Sequence, residues 1–322
     1  ASYTSIVSEK SVKEKGDKFG QDPIGTGPFQ FERWRPQQET VMNAFDDYWG
    51  GKPKIAQFVY VVIPDSTTAY TAFESGDVDL IQVSDPDRLK KYKQNANLTI
   101  AETASLSTRF LGMVPKHAPL DNLKVRQAIS HAINRKDISE GVSGGMSVLA
   151  KGPLAPGVKY FDPNLTQYAY DSAKAKQLLA DAGFGSGFKV TIAAPNNERF
   201  TKPAVVIQEN LKAVGIQAEI KTMETQAFLV GFRDYPLYVL AISWDPIPDP
   251  TLLVGYSSRG PMSKSADAQL DQMIMTASVT LDDGKRKDLF SQIQKRITDE
   301  ALDVFIDNES FVYAMSKRVK GF

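Results

Sequence analysis

The segment GFKVTIAAPNNERFTKPAVVIQENLKAVGIQAEI, residues 187–220, carries the alternation of strand and helix that decides the fold class. Apolar and polar residues alternate over 188–192, which predicts a strand with one buried face. A helical spacing of apolar residues follows, with Pro203 in the first turn and Gly215 as the stop signal. Alternation resumes over 216–220, so the segment reads as strand, helix, strand, the order typical of α/β folds.

The same order extends in both directions along the chain. Residues 57–63, rich in β-branched and aromatic side chains, predict a buried strand, followed by a helix from Ser66 that Gly76 ends. Further helices are predicted over residues 121–132, 171–182, 270–277 and 289–297, the first two capped by Asp121 and Asp171, and further strands over 29–31, 41–48, 78–83 and 237–242. This pattern predicts two α/β regions, residues 1–114 and 115–303.

Composition excludes several classes of function. Lys plus Arg and Asp plus Glu both number 38, so no net field favours nucleic acid. No apolar run approaches the ~20 residues that span a bilayer. The chain has no cysteine and two histidines, His117 and His131, which removes disulfides, thiolate sites and a His-rich metal centre. We therefore expect no metal and no cofactor.

Several motifs, taken together, resemble one protein family. They occur in order along the chain, at Gly25-Thr26-Gly27-Pro28-Phe29, Phe73-Glu74-Ser75-Gly76-Asp77-Val78-Asp79, Asp121-Asn122-Leu123-Lys124-Val125-Arg126-Gln127-Ala128-Ile129, Tyr168-Ala169-Tyr170-Asp171 with Leu178-Leu179-Ala180-Asp181-Ala182-Gly183, and Lys317-Arg318-Val319-Lys320-Gly321-Phe322. This sequence resembles the periplasmic solute-binding proteins of the dipeptide, oligopeptide and nickel class. Each motif alone is weak, whereas their shared order over nearly the whole chain is specific.

The resemblance implies an architecture. It is a two-lobed α/β fold of the type II periplasmic-binding-protein kind, with mixed sheets flanked by helices and the ligand held between the lobes. Residues 1–114 would form the first lobe and 115–303 the second, and 304–322 would return to the first. The crossings near residues 110–115 and 301–307 would act as hinges.

The resemblance also implies a function. The chain would be the extracytoplasmic solute-binding component of an ABC importer, without enzymatic activity. It would bind a peptide or other small solute and interact with a membrane permease, in the periplasm or at the outer face of the cell membrane. Family members are longer at the N-terminus, so we read the chain as part of a longer precursor. We then expect its first lobe to self-associate or to hold a separate N-terminal piece through an unpaired sheet edge.

The loop Ser243-Trp244-Asp245-Pro246-Ile247-Pro248-Asp249-Pro250 follows a predicted strand, where α/β proteins usually bind ligands. It resembles the family's ligand loop, which implies that Trp244 lines the pocket and that Asp245 or Asp249 contributes a carboxylate. The match is displaced by one residue, so either Asp245 holds a ligand's amino group or that function is lost. A rigid proline-rich turn carrying a packed tryptophan is the alternative.

Arg109, Phe110 and Arg233 are further candidates for ligand binding. Arg109 and Phe110 end a predicted strand near the first hinge, and a guanidinium there would suit a carboxylate or phosphate. A solvated arginine on an edge strand is the alternative for Arg109, and a surface helix end is the alternative for Arg233.

Two other functions stay open from the sequence. One is a hydrolase using Asp245 and Asp249, although no partner group for them is evident and no catalytic triad motif is present. The other is an interaction or sensor module that keeps the fold without a transport ligand. Gly25-Thr26-Gly27 does not favour a phosphate loop, because Pro28 follows and no Lys-Ser/Thr pair does.

Overall fold

The computed structural model describes residues 5–260, 262 and 266–322, and these form two compact units. The smaller unit comprises the chain up to Ile81 together with Ala96–Thr99 and Ala314–Phe322, and the larger comprises Gln82–Asn95 and Ile100–Tyr313. The larger unit therefore includes residues 100–114, which the sequence analysis assigns to the first lobe. The reason is that this segment pairs with strands of the larger unit. The expected lobes and hinges themselves stay a prediction.

The smaller unit contains a three-stranded antiparallel sheet and two helices. Its elements are α1 (Glu9–Lys15), β1 (Phe29–Arg35), β2 (Glu39–Ala44), β3 (Gln57–Val61) and α2 (Ser66–Ser75). The sheet order is β1-β2-β3, so β3 lies at an edge. As predicted from the sequence, α2 begins at Ser66 and Gly76 ends it, at φ 88°. Asp65 caps the helix by accepting from the Thr68 amide.

The prediction that residues 57–63 form a buried strand is wrong in its burial. The strand forms as β3, yet every residue of β3 is exposed. Phe58, Val59, Tyr60 and Val61 keep between 42% and 60% of their surface accessible. The β-branched and aromatic residues favour a strand, which does form. Burial would also require other residues to cover the strand, and the described residues of the smaller unit do not cover it.

The second sheet is mixed, and most of its residues belong to the larger unit, whereas residues 80–81, 98–99 and 314–316 belong to the smaller one. Its strands are β4 (Leu80–Gln82), β5 (Leu98–Met113), β6 (Ser147–Leu149), β7 (Phe188–Pro195), β8 (Ile216–Met223), β9 (Leu237–Ser243) and β10 (Asp303–Ser316). They are ordered β4-β10-β5-β9-β7-β8, with β6 paired to β10. β7 runs parallel to both β8 and β9, and β5 runs antiparallel to β9. The strands predicted from the alternating patterns thus form the centre and one edge of the sheet.

Helices supply apolar side chains to both faces of this sheet. The helices of the larger unit are α3 (Pro86–Lys93), α4 (Leu123–Ala132), α5 (Arg135–Ser143), α6 (Ser172–Asp181), α7 (Glu198–Ala213), α8 (Thr225–Gly231), α9 (Asp249–Gly255), α10 (Ala268–Val279) and α11 (Asp283–Asp299). One core cluster joins Leu111 to residues of α4, α6 and α7. A second joins the adjacent Phe110 to residues of α10 and α11. Successive residues of β5 therefore serve opposite cores, as the alternation of a strand requires.

Two helix starts differ from those predicted. The helix predicted to start near Pro203 begins five residues earlier at Glu198, because Asn197 caps it by accepting from the Arg199 amide. The cap of α4 is Asn122 rather than Asp121. For α4 the neighbouring Asp121 is an equally good cap by type, and the path of the chain selects Asn122.

Candidate functional site

One end of the large sheet gathers the carboxyl ends of its parallel strands. β7, β8 and β9 end there at Pro195, Met223 and Ser243. The antiparallel neighbour of β9 contributes Ser107, which pairs with Ser243. In open α/β sheets ligands bind outside the carboxyl ends of the strands, so this edge is the candidate site.

Trp244 begins the loop that leaves β9 at this edge. Its amide donates to the Leu106 carbonyl over 2.9 Å, which extends the pairing of β9 with β5. The side chain is 4% exposed and belongs to the core cluster around Phe110. Among the residues that the structure describes, its indole Nε1 has no hydrogen-bond partner. Trp244 is thus packed like a core residue, and its indole N–H is a buried hydrogen-bond donor beside the sheet edge that no described residue accepts from.

The two carboxylates of this loop differ in their surroundings. Asp249 opens α9 and accepts two hydrogen bonds from Arg286 Nη2, at 2.9 and 2.7 Å. Arg286 also lies over the rings of Tyr160 and Phe290. Asp249 therefore joins the loop to α11. The sequence analysis proposed Asp249 as a ligand-binding carboxylate and did not predict this contact. Asp245 is half-buried, and its proposed contact with a ligand's amino group stays a prediction.

Arg109 is neither solvated nor on an edge strand, so the alternative interpretation of this residue is wrong. β5 lies between β10 and β9, and the Arg109 side chain is 2% exposed. Its Nε donates to Asp307 Oδ1 over 3.0 Å and its Nη2 donates to Asp307 Oδ2 and to Ser143. With Asp307 fully buried, the guanidinium forms an interior ion pair, and a direct ligand contact by Arg109 remains only a prediction.

Phe110 and Arg233 lie away from the edge. Phe110 is buried in the core against Tyr238 and Phe305. Arg233 precedes β9, at the amino-terminal end of that strand, whereas Trp244 follows its carboxyl end. At about 3.3 Å per residue the seven residues of β9 separate them by roughly 20 Å. The structure therefore does not bring Arg233 together with the loop, and its guanidinium lies over the ring of Phe232.

An ion pair between Arg199 and Glu309 lies at the same edge, and the sequence analysis did not single it out. Arg199 stands in the first turn of α7, directly after β7, and its side chain is 40% exposed. Its Nε donates to Glu309 Oε1 and Oε2, at 2.9 and 3.0 Å, and its Nη2 donates to Glu309 Oε2 and, over 3.4 Å, to Ser107 Oγ. The position of Arg199 just after a predicted strand could have indicated a ligand-binding residue. Its partner Glu309 could not be identified in this way, because it lies 110 residues further along the chain.

The buried and exposed ion pairs are connected. Arg109 Nη1 donates to the Arg199 carbonyl over 3.2 Å and lies 3.6 Å from Glu309 Oε1. Next to them, Asn308 Nδ2 donates to the Ser107 carbonyl, while its Oδ1 has no partner among the described residues. Two arginines and two carboxylates thus form a charge-balanced network, with Arg199 as its most exposed member.

The smaller unit has a cavity of its own. It encloses about 540 Å³ and is lined by Ser5, Ile6, Val7, Gly20, Pro23, Gly25, Thr26, Gly27, Phe29, Phe31, Trp34, Thr40 and Met42. None of these residues is charged, so the cavity offers no side chain for pairing with an ionic ligand. The described residues also contain no group of three or more acidic or histidine side chains able to hold a metal ion. Within the same residues, every helix is too short or too polar to cross a bilayer.

Comparison with known proteins places this geometry in a family. Residues 1–264 match the family described as bacterial extracellular solute-binding proteins, family 5. The chain belongs to this family. The resemblance inferred from the sequence motifs is thereby confirmed, as is the mixed α/β class with helices flanking the sheets.

Individual relatives cover nearly all of this chain. The dipeptide-binding protein of Escherichia coli is 30% identical over 338 residues, and heme-binding protein A of Haemophilus influenzae is 28% identical over 336. The periplasmic binding protein DppA of Helicobacter pylori, solved with the peptide STSA, superposes with a TM-score of 0.89 at 27% identity over 98% of this chain. The chain spans 63%, 61% and 65% of these proteins' lengths, respectively.

Proposed function

We propose that this family 5 protein binds a peptide or a related small solute outside the cytoplasm and delivers it to the membrane permease of an ABC importer. Its membership of an extracellular solute-binding family supports the general role. The dipeptide-binding and STSA-bound relatives favour a peptide, and the heme-binding relative marks the breadth of ligands within the family. The observation that carries the proposal is the partly exposed guanidinium of Arg199 at the carboxyl edge of the large sheet.

Arg199 has the properties expected of an anchor for a ligand carboxylate. Glu309 and Ser107 accept hydrogen bonds from its Nε and Nη2. Its Nη1 has no hydrogen-bond partner among the described residues and so remains available to a ligand. The backbone of Arg199 is fixed on both sides, by the Asn197 side chain at its amide and by Arg109 at its carbonyl. A donor held in place before binding loses less entropy when the ligand arrives.

The loop after β9 supplies the second part of the proposed site. The unused Nε1 of Trp244 is a hydrogen-bond donor, and the half-buried Asp245 is a carboxylate suited to an amino group. Asp249 contributes indirectly, since its bidentate pairing with Arg286 ties the loop to α11. The same pairing argues against a hydrolase that would need Asp249 as a free acid or base.

The proposal is tested by asking what the protein binds. We expect mass spectrometry of solutes released by denaturing the purified protein to detect peptides, and isothermal calorimetry with these peptides to give one site per chain. Arg199→Gln should weaken binding by at least about tenfold, because a close charge-assisted contact is lost. Lys202→Gln, one turn further along α7, is the control. Absence of any bound solute, or equal affinity of both variants, would contradict the proposal.

A further inference from the structure

Tyr160 has a backbone conformation that bulky side chains rarely adopt. Its φ is 65°, in the left-handed region, where the Cβ atom of an ordinary residue crowds the backbone. Helix α11 supplies contacts that keep it there. The Tyr160 ring stacks on the ring of Phe290, with centroids 4.9 Å apart, and the Tyr160 carbonyl accepts from Gln294 Nε2 over 2.9 Å. Strained residues of this kind persist where surrounding contacts fix them, and they cluster where a ligand is held.

The turn at Tyr160 is joined to two residues of the loop that follows β9. Lys159 donates its amide to the Pro246 carbonyl over 2.8 Å. The Tyr160 ring lies against the guanidinium of Arg286, and its hydroxyl accepts from Arg286 Nε over 3.2 Å. Arg286 in turn donates through Nη2 to both carboxylate oxygens of Asp249. One side of the turn thus fixes Pro246 directly, and the other fixes Asp249 through Arg286.

The hydroxyl of Tyr160 adds a second, more exposed connection to α11. It donates to Asp283 Oδ1 over 2.8 Å, and Asp283 also pairs with Lys159. The side chain of Asp283 keeps 70% of its surface accessible, so these bonds compete with water and contribute less than the packing of the ring. The ring, rather than the hydroxyl, therefore keeps Arg286 in place for Asp249.

We infer that Tyr160 is a positioning residue for the ligand-binding loop, residues 244–249, which it holds in one conformation before a ligand arrives. This inference rests on the proposed function. Tyr160 acts through Lys159 and Arg286, so removing its ring takes away no contact with the ligand. The loop would instead sample more conformations in the free protein, and fixing it on binding would then cost more entropy. A looser loop and weaker binding are therefore expected together.

Two substitutions separate the ring from the hydroxyl. Tyr160→Asn removes the ring but suits the backbone, because asparagine adopts the left-handed region more readily than most residues. Tyr160→Phe keeps the ring beside Arg286 and removes the hydroxyl. Hydrogen exchange of the Lys159 amide, which bonds to Pro246, reports the state of the loop in the free protein. A tripeptide library, with retained peptides quantified by mass spectrometry, reports binding.

Tyr160→Asn should speed exchange of the Lys159 amide and lower peptide retention, each by about tenfold, because an aromatic stack and a cation–π contact are lost. Tyr160→Phe should stay within about twofold of wild type in both measurements. Tyr168→Asn is the matched control. Tyr168 is also half-buried and contacts α11, but at its last residue, Asp299, about 24 Å from its first. This control should lower stability while leaving Lys159 exchange and peptide retention unchanged.

Wild-type exchange in Tyr160→Asn would overturn the inference, and so would faster exchange with unchanged retention. Equal loss of retention in the two asparagine variants would also overturn it, because general destabilisation would then suffice. In each case the wild-type protein still retains peptides, and the proposed function stands. Failure of the wild-type protein to retain any tripeptide would contradict the proposed function itself, and the inference with it.

Discussion

Arg109 and Asp307 form an ion pair from which water is excluded, since their side chains are 2% and 0% exposed. Removing Asp307 leaves the buried Arg109 guanidinium without its bidentate partner, with the longer 3.6 Å contact to Glu309 in its place. Asp307→Ala should therefore lower the free energy of unfolding by about 3–5 kcal/mol, measured by urea denaturation. Replacing both residues, as Arg109→Met with Asp307→Leu, should recover most of this loss because no buried charge remains.

Asp234→Ala is the control for this prediction, because Asp234 pairs with Lys116 at 3.8 Å on an exposed surface. It should change stability little, as is usual for exposed pairs. Equal effects of Asp307→Ala and Asp234→Ala would contradict the account of the buried network.

Tyr256 makes the stability of the larger unit depend on pH in the alkaline range. Burial raises the pKa of Tyr256 well above its ordinary value, and the nearby carboxylate of Asp303, which accepts its hydroxyl over 2.7 Å, raises it further. A raised pKa contributes stability that is fully present below the unfolded value of about 10 and is lost as the pH rises above it. We therefore expect the free energy of unfolding to fall steeply above about pH 10.

Tyr256→Phe should flatten this alkaline fall, although it lowers stability at neutral pH by about 1–3 kcal/mol through the lost hydrogen bond to Asp303. Tyr170→Phe, at an exposed position, is the control and should keep the slope of the wild-type protein. Denaturant unfolding measured between pH 8 and about pH 11 checks both variants. A wild-type slope in Tyr256→Phe would show that another group causes the alkaline fall.

At the scale of elements, β3 is an edge strand of five residues, QFVYV, most of them apolar. Its residues are all exposed, and among the residues that the structure describes it pairs with β2 alone. Unpaired edges with apolar side chains favour association with other chains, and the net charge of zero does not oppose it. We expect concentration-dependent self-association in sedimentation velocity experiments.

Val59→Lys should reduce this association, because a charged side chain on an edge strand disfavours pairing. Val230→Lys adds the same charge at an exposed position of α8 and should leave association unchanged. A monomer at all concentrations, or the same behaviour in both variants, would contradict the prediction.

The elements themselves were largely predictable from sequence, for identifiable reasons. β7, α7 and β8 carry periodic patterns, β9 is a near-continuous apolar run, and Gly76 and Gly183 adopt positive φ where a stop was predicted. The misjudged features depend on information outside the segment. The starts of α4 and α7 depend on which of several polar residues the chain path selects as a cap, and the exposure of β3 depends on whether a second layer covers it.

At the scale of the whole molecule, the candidate site was only partly predictable. Position after a strand identified the loop of Trp244 correctly as lying at the carboxyl edge of the sheet. The pairing of Arg199 with Glu309, and of Arg109 with Asp307, joins residues 110 and 198 positions apart. Nothing in local periodicity reports such pairs, because they are created by the adjacency of β5 and β10 and by the position of α7 after β7.

The central claim is that ligand binds at this edge of the large sheet, beside Trp244. Of the three tryptophans, Trp34 and Trp49 lie in the smaller unit, so Trp34→Phe with Trp49→Phe leaves Trp244 as the sole indole. Titrating this variant with the peptides released from the purified protein should change its fluorescence saturably, at the affinity that calorimetry gives. Calorimetric binding without any change in Trp244 emission would contradict the claim.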